Sequence, residues 1–178
     1  RLEELGLAEN TIVIYSSDQG FFLGEHGWYD KRFMYETSLK VPLLVRWPGK
    51  LNAGETRSAM VQNLDFASTF LELAGVEVPA DIQGESLLPI LQGLDTPQWR
   101  KGIYYEYSGE ATHHVAAHYG IRTEFWKLIH YPNTGEWELL DLINDPDEIH
   151  NLYNDPQHAE RIATMQVQLE ELRLQYAV

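Results

Sequence analysis

The sequence predicts an α/β fold in which strands and helices are followed by a small antiparallel sheet packed on a long C-terminal helix. Two apolar, β-branched runs near the start predict strands, and four short aromatic-rich segments separated by turn residues predict an antiparallel meander. A regular apolar stripe near the end predicts the helix. Because the sequence changes after Pro97 to short aromatic-rich segments, we expect one domain over residues 1–97 and a second over residues 98–178.

Size and charge narrow the class of protein. The chain has 178 residues, 44% of them hydrophobic, so a sizeable core is expected. Its 13 Lys and Arg residues against 27 Asp and Glu residues give a formal net charge of −14. A chain this acidic repels nucleic acid and anionic membranes, so we expect neither as a partner. It contains no cysteine, and no apolar run approaches the ~20 residues that span a bilayer.

The first predicted domain opens in the middle of an element. Leu2, Leu5 and Gly6 have the pattern of the last turn of a helix, and the first residue is Arg1 rather than Met. We therefore expect a piece of a longer polypeptide.

Two predicted strands frame a loop without clear periodicity. Residues 11–17 (TIVIYSS) form a continuous apolar run, typical of a strand buried on both faces of a parallel sheet, and residues 41–47 (VPLLVRW) form a second. The first strand ends at Asp18-Gln19-Gly20, at the carboxyl edge where α/β proteins bind ligands. The side chains after this strand are therefore candidates for a binding site.

The helices follow from apolar spacing. Residues 65–74 predict an amphipathic helix with Phe66, Phe70 and Ala74 on its buried stripe and Gly75 as its stop, and residues 86–91 predict a shorter one. The meander is expected over residues 103–107, 119–122, 125–131 and 136–142. After Pro156 at its first position, the terminal helix should cover one sheet face with Ile162, Met165, Leu169, Leu172 and Tyr176.

Four side chains around the first strand end suggest chemistry. Asp18 and Gln19 are adjacent oxygen donors of the kind that Ca²⁺ and Mg²⁺ prefer, although the same residues also suit a plain turn. Lys31 could place a point charge beside an anion, and His26 could donate a proton to a leaving oxygen. Each of these two could equally be a solvated surface residue.

The segment over residues 16–49 closely resembles formylglycine-dependent sulfatases of the alkaline-phosphatase-like superfamily. The matching residues are Asp18-Gln19-Gly20, at the family's metal-binding position, a loop Gly24-Glu25-His26-Gly27, Lys31, Tyr35-Glu36 and a strand that ends at Pro48-Gly49. Further matches follow in order along nearly the whole chain, at residues 62–65, 84–89, 120–123 and 144–146. Only the C-terminal portion of the family pattern is present.

The resemblance implies a fold and a set of roles. The fold would be the C-terminal part of an alkaline-phosphatase-like sandwich, followed by the small sheet and long helix. Asp18 and Gln19 would complete a divalent-metal site, usually Ca²⁺, and Gln19 is one methylene longer than the common Asn. Lys31 would contact the sulfate oxygens, and His26 would contact substrate or protonate the leaving group. Glu36 and Arg46 would hold the loop and the strand in place.

The family's nucleophile motif is absent. Sulfatases make formylglycine from the first residue of C-x-P-S-R or S-x-P-S-R, and neither pattern occurs here. We therefore expect formylglycine upstream and no sulfatase turnover by the isolated chain. Two alternatives stay open: a phosphate or phosphonate ester hydrolase of the same superfamily, and a non-catalytic binding module. The trio of Asp18, Gln19 and Lys31 argues against the second alternative, since a binding module does not need it.

The remaining expectations concern partners. The substrate implied by the resemblance is a sulfated small molecule or carbohydrate, with His113, His114 and His118 as candidate sugar contacts; a polar loop between strands explains the same histidines. Exposed sheet edges would favour self-association of the fragment. Members of this family in bacteria are usually exported, which implies a periplasmic or secreted protein.

Overall fold

The computed structural model describes residues 1–109 and 112–176. The helices and strands in chain order are β1 (Val13–Ser16), α1 (Glu36–Leu39), β2 (Leu43–Arg46), α2 (Asp65–Leu73), α3 (Leu88–Leu91), β3 (Gly102–Tyr107), β4 (His118–Thr123), β5 (Trp126–Tyr131), β6 (Glu136–Asp141) and α4 (Ala159–Tyr176). Short 3₁₀ turns lie at Ala8–Asn10, Glu25–Gly27 and Pro156–His158. None of the described helices combines the length and apolar character needed to cross a bilayer.

Two compact units form, each from two chain segments. The first unit combines Arg1–Asp18 with Pro42–Arg100, and the second combines Gln19–Val41 with Lys101–Val178. The loop between the first two strands therefore groups with the meander. The division into residues 1–97 and 98–178 stays a prediction.

In the first unit, β1 and β2 form an antiparallel pair with Ile14 opposite Val45. Both strands were predicted, but the expectation of a parallel strand buried on both faces is wrong, because alternate side chains are exposed and Tyr15 reaches 63%. Arg46 on β2 donates a hydrogen bond to the carbonyl oxygen of Ala8 at 2.9 Å. This bond agrees with the expected role of Arg46 in holding its strand.

The buried face of α2 differs from the predicted stripe. Asp65, Ser68 and Thr69 are buried, whereas Phe70 is 49% exposed. The polar face can be buried because its groups are bonded: both oxygens of Asp65 accept from the guanidinium of Arg100, at 2.5 and 2.6 Å. Gly75 ends the helix at a φ of 68°, as expected.

The second unit contains the predicted meander, and its strands pair antiparallel in the order β3-β4-β5-β6. One sheet face packs against α4 through the predicted stripe, and the core there contains Ile121, Leu128, Leu139, Ile162, Met165 and Leu169. Asp155 caps the preceding 3₁₀ turn by accepting from the Gln157 amide. The antiparallel sheet and its covering helix are therefore confirmed.

The other face of the sheet packs against the Gln19–Val41 segment. Its core contains Phe22, Phe33, Met34, Val115, Ile129, Tyr131 and Leu140. The approach is close at Gly120, where a Cβ atom would lie 2.3 Å from the Leu128 oxygen and 2.8 Å from the Met34 sulfur. The loop is thus a packed layer of the second unit.

Candidate functional site

Asp18 follows the end of β1 with an exposed side chain, and its position is set within the first unit. The Asn63 side-chain amide donates to the Asp18 carbonyl oxygen at 2.5 Å, and the Ser17 hydroxyl donates to Asp18 Oδ1 at 3.3 Å. The adjacent Gln19 is half-buried. The exposed Asp18 carboxylate therefore lies at the end of β1, where the sequence predicted a candidate ligand.

These donors suit a hard cation but do not complete its shell. Calcium takes six to eight oxygen ligands, and Asp18 and Gln19 supply two side chains. In residues 1–109 and 112–176, no group of three or more His, Cys, Asp or Glu side chains could hold a metal ion. Two oxygen donors are too few for the shell of a calcium ion, so a metal site at Asp18 and Gln19 stays a prediction.

The backbone around Lys31 is held by hydrogen bonds from several directions in the second unit. Its amide donates to Asp30 Oδ1 at 2.5 Å, and its carbonyl oxygen accepts from the Ser38 hydroxyl at 2.5 Å. The next carbonyl, of Arg32, accepts from the Tyr105 hydroxyl at 2.5 Å. The position of Lys31 is therefore fixed by side chains from its own loop, from α1 and from β3.

The two neighbouring cations of this loop differ in their partners. Arg32 pairs with Asp30 at 2.8 Å, whereas none of the described carboxylates forms an ion pair with the Lys31 ammonium. Burial alone would raise the pKa of Asp30, but hydrogen bonds from the Lys31 amide and from Arg32 hold this pKa below its usual range. The positive charge left for an external anion is therefore that of Lys31.

His26 stacks on Tyr35 within the same unit. The two rings are 4.5 Å apart with an interplanar angle of 11°, and Phe22 meets the imidazole edge-on at 6.0 Å. His26 has a φ of 53°, in the left-handed region, and it lies between two glycines that also have a positive φ, Gly24 and Gly27. The Tyr35 hydroxyl donates to Glu138 at 2.8 Å, and burial raises the pKa of that carboxyl. The plane of the imidazole is thus set by its packing on Tyr35 and Phe22.

A buried ionic network fixes the end of the loop. Lys127 is fully buried and bonds Glu148 at 2.5 Å and Glu36 at 3.1 Å, while Arg122 pairs with Glu36 at 3.1 Å. Glu148 also accepts from the Glu36 amide at 2.5 Å. Although burial raises it, the pKa of Glu36 is held below its ordinary value by Arg122 and Lys127. Glu36 therefore pins α1 to the sheet, as expected.

The three predicted sugar-binding histidines have different surroundings. His113 Nε2 lies 2.8 Å from Arg32 Nη2, and because arginine can only donate, Nε2 must be the unprotonated acceptor. His113 Nδ1 then faces Asp30 at 4.0 Å. His114 is exposed with a φ of 53°. Both His113 and His114 keep some accessible surface.

His118 does not fit the predicted role. Its side chain is 1% exposed, it donates from Nδ1 to the Ala116 carbonyl oxygen at 2.8 Å, and burial lowers its pKa. Its ring stacks with Phe33 and Tyr105 at 5.6 Å. The prediction that His118 contacts substrate is therefore wrong, because the ring is enclosed by the aromatic core.

Comparisons with known proteins decide the family. Residues 24–175 match the family described as N-sulphoglucosamine sulphohydrolase, C-terminal. Over 98% of its length the chain is 51% identical to an N-acetylglucosamine-6-O-sulfatase of Bacteroides thetaiotaomicron. The chain belongs to the sulfatase family. It spans about a third of the length of such relatives, 32% in this case.

Solved structures agree with the assignment of this sulfatase chain. One, of a protein in complex with its substrate D-glucosamine-2-N,6-O-disulfate, is 50% identical with a TM-score of 0.93, over 99% of this chain and 36% of that chain. A phosphonate monoester hydrolase of Agrobacterium radiobacter has a TM-score of 0.84 at 26% identity, over 98% of this chain and 37% of that chain. The predicted fold class and family are therefore confirmed, and the same architecture occurs with phosphonate chemistry.

Several residues around the candidate site were missed in the sequence. Asp30 and Arg32 flank Lys31 directly, and this run of three charged residues was the available signal. Lys127 alternates along β5 with the buried Ile129 and Tyr131, and a lysine at such an inward position indicates a buried partner. That the partner would be Glu148 could not be read from spacing.

Proposed function

We propose that the full protein containing this chain hydrolyses sulfate esters of a sulfated amino sugar, with 6-O-sulfated glucosamine as the preferred class. The observation that carries the proposal is Lys31, whose backbone is held on both sides while its ammonium has no ion pair among the described residues. An ammonium in this state can neutralise the charge that develops on a sulfate group. The names of the relatives supply the sugar and the ester.

The other residues take supporting roles in this proposal. Asp18 and Gln19 would supply some of the ligands of a divalent cation, which is usually Ca²⁺ in this family. The cation would neutralise charge on the sulfate group beside the formylglycine nucleophile. Lys31 binds the sulfate oxygens and stabilises their charge. His26, oriented by Tyr35, contacts the substrate or delivers a proton to the leaving oxygen.

The sugar itself would be contacted from the loop between β3 and β4. His114 is exposed and His113 is partly exposed, so both can reach a ligand, and their replacement by alanine in the full protein should change substrate preference more than stability. Identical kinetics across a panel of sulfated sugars would end this part of the proposal.

The isolated chain should not hydrolyse sulfate esters. It contains no cysteine and no S-x-P-S-R motif, so the formylglycine nucleophile would have to lie outside these 178 residues. Hydrolysis of an aryl sulfate by the purified chain would contradict this expectation. We further propose that the full protein is exported from the cell. We also propose that the isolated chain self-associates through the open edges of the β1–β2 pair, and light scattering can test this self-association.

The test compares esters on the full protein. We expect the highest kcat/KM for 6-O-sulfated N-acetylglucosamine, a lower value for 4-nitrophenyl sulfate and the lowest for a phosphonate monoester. Lys31→Ala should lower kcat/KM by about 10²- to 10³-fold, by analogy with the removal of one donor to a developing oxyanion. Lys40→Ala, which removes an exposed lysine of the same segment, serves as the control.

Two outcomes would overturn the proposal. An unchanged kcat/KM in Lys31→Ala would remove the residue that carries it. A preference for the phosphonate ester would favour the second candidate function, phosphonate ester hydrolysis, which the likeness to the Agrobacterium enzyme supports.

A further inference from the structure

Three consecutive carbonyl groups of the loop are each bonded to a different part of the second unit. Asp30 O accepts from the Phe22 amide at 2.7 Å, Lys31 O from the Ser38 hydroxyl, and Arg32 O from the Tyr105 hydroxyl. Such density of bonds to irregular backbone is not needed for a surface loop, whose carbonyls can bond water. It fixes where the Lys31 side chain begins.

Asp30 joins this arrangement to the neighbouring charges. A single oxygen, Oδ1, accepts both the Lys31 amide at 2.5 Å and Arg32 Nη1 at 2.8 Å. The other end of the guanidinium, Nη2, bonds His113. The Asp30 side chain is 14% exposed, so these bonds are made away from most of the solvent and are stronger than surface contacts.

The same carboxylate separates the roles of the two adjacent cations. Because Asp30 and His113 occupy the Arg32 guanidinium, that side chain is held against the protein. Lys31 keeps its charge for a ligand, in a chain whose net charge of −14 otherwise repels anions. Without the carboxylate, the loop would carry two competing cations and a Lys31 amide without its acceptor.

We propose that Asp30 is a positioning residue for Lys31 in sulfate ester hydrolysis: by accepting the Lys31 amide it fixes the backbone from which the ammonium extends. This inference rests on the proposed function and adds a residue that acts only through Lys31. Its effect should appear in kcat, since an ammonium displaced by about 1 Å loses mainly transition-state contacts.

The test is a double-mutant cycle on the full protein with 6-O-sulfated N-acetylglucosamine. Asp30→Ala should lower kcat by about 10- to 100-fold with a smaller change in KM. In the Lys31→Ala background the same change should have no further effect, because a residue that acts through Lys31 has nothing left to position. Asp30→Asn keeps an oxygen for the Lys31 amide and should restore most of the lost kcat.

Two further variants keep the inference falsifiable whatever the stability of Asp30→Ala. Ser38→Ala removes the bond to the Lys31 carbonyl, and its loss of kcat should likewise vanish in the Lys31→Ala background. Asp95→Ala, at an exposed site, should leave kcat unchanged.

The outcomes separate this inference from the proposed function. If Lys31→Ala alone keeps full activity, the proposed function fails. If Lys31→Ala loses activity and the losses in Asp30→Ala and Ser38→Ala are absent or add to it, only the positioning role is overturned.

Discussion

Replacement of Lys127 by methionine tests the buried network that supports the candidate site. The ammonium is fully buried and bonds both Glu148 and Glu36, and methionine has a similar volume without the charge. Glu36 would keep its pair with Arg122 at 3.1 Å. Among the described residues, Glu148, whose side chain is 2% exposed, would then keep the Glu36 amide as its one hydrogen-bond donor.

The expected loss in the free energy of unfolding follows from the Glu148 carboxylate, which would lose its cationic partner. Removing one partner of a buried pair costs about 3–5 kcal/mol, because an uncompensated charge remains away from water. Adding Glu148→Gln neutralises it and keeps an oxygen for the Glu36 amide. The double variant should therefore recover most of the lost stability, as replaced buried pairs commonly do.

Urea denaturation followed by circular dichroism measures both values. Lys101→Met, at an exposed position next to β3, should stay within about 0.5 kcal/mol of the parent chain. A loss below about 1 kcal/mol in Lys127→Met, or no recovery in the double variant, would refute the reasoning that a single charge imbalance dominates.

Two further predictions concern the same unit. Burial lowers the pKa of His118, so the histidine takes up a proton at a higher pH in the unfolded chain than in the folded one. The stability contributed by the neutral ring is therefore complete above about pH 6.5. As the pH falls toward the folded pKa, this stability is lost by up to about 1.4 kcal/mol per pH unit. His118→Phe should flatten this dependence between pH 5 and 7 in urea titrations, and an unchanged slope would contradict it. Gly20→Ala should destabilise the chain by more than about 1 kcal/mol in the same urea titrations, because its Cβ would lie 2.0 Å from the Thr37 carbonyl oxygen; an unchanged denaturation midpoint would contradict this steric argument.

The second unit was predictable because its elements are periodic. The meander and α4 each bury an apolar face against a neighbour, so the spacing of Ile162, Met165 and Leu169 located the buried side of the helix directly. In α2 the same reasoning failed. There the buried face is polar and is stabilised by Arg100, which lies 35 residues after Asp65, and apolar spacing carries no information on such a pair.

The candidate site could be predicted only in part for a related reason. Lys31 was found through the family pattern, whereas the contacts that hold its loop join residues far apart in sequence. His113 follows Arg32 by 81 positions and Glu148 follows Glu36 by 112. Pairing over such separations depends on the tertiary fold, which local propensity does not encode.

The two-segment make-up of the second unit has a consequence during synthesis. Glu36 is translated 112 residues before Glu148, so at about 5–20 residues per second roughly 6–22 s pass before its partner emerges from the ribosome. For most of that interval Phe22 and Met34, both fully buried in the finished protein, lack the completed sheet that covers them, because β6 ends only at Asp141. The nascent chain therefore passes through a stage at which holdase chaperones have an apolar target, and a chain terminated before the sheet strands are made keeps that target uncovered.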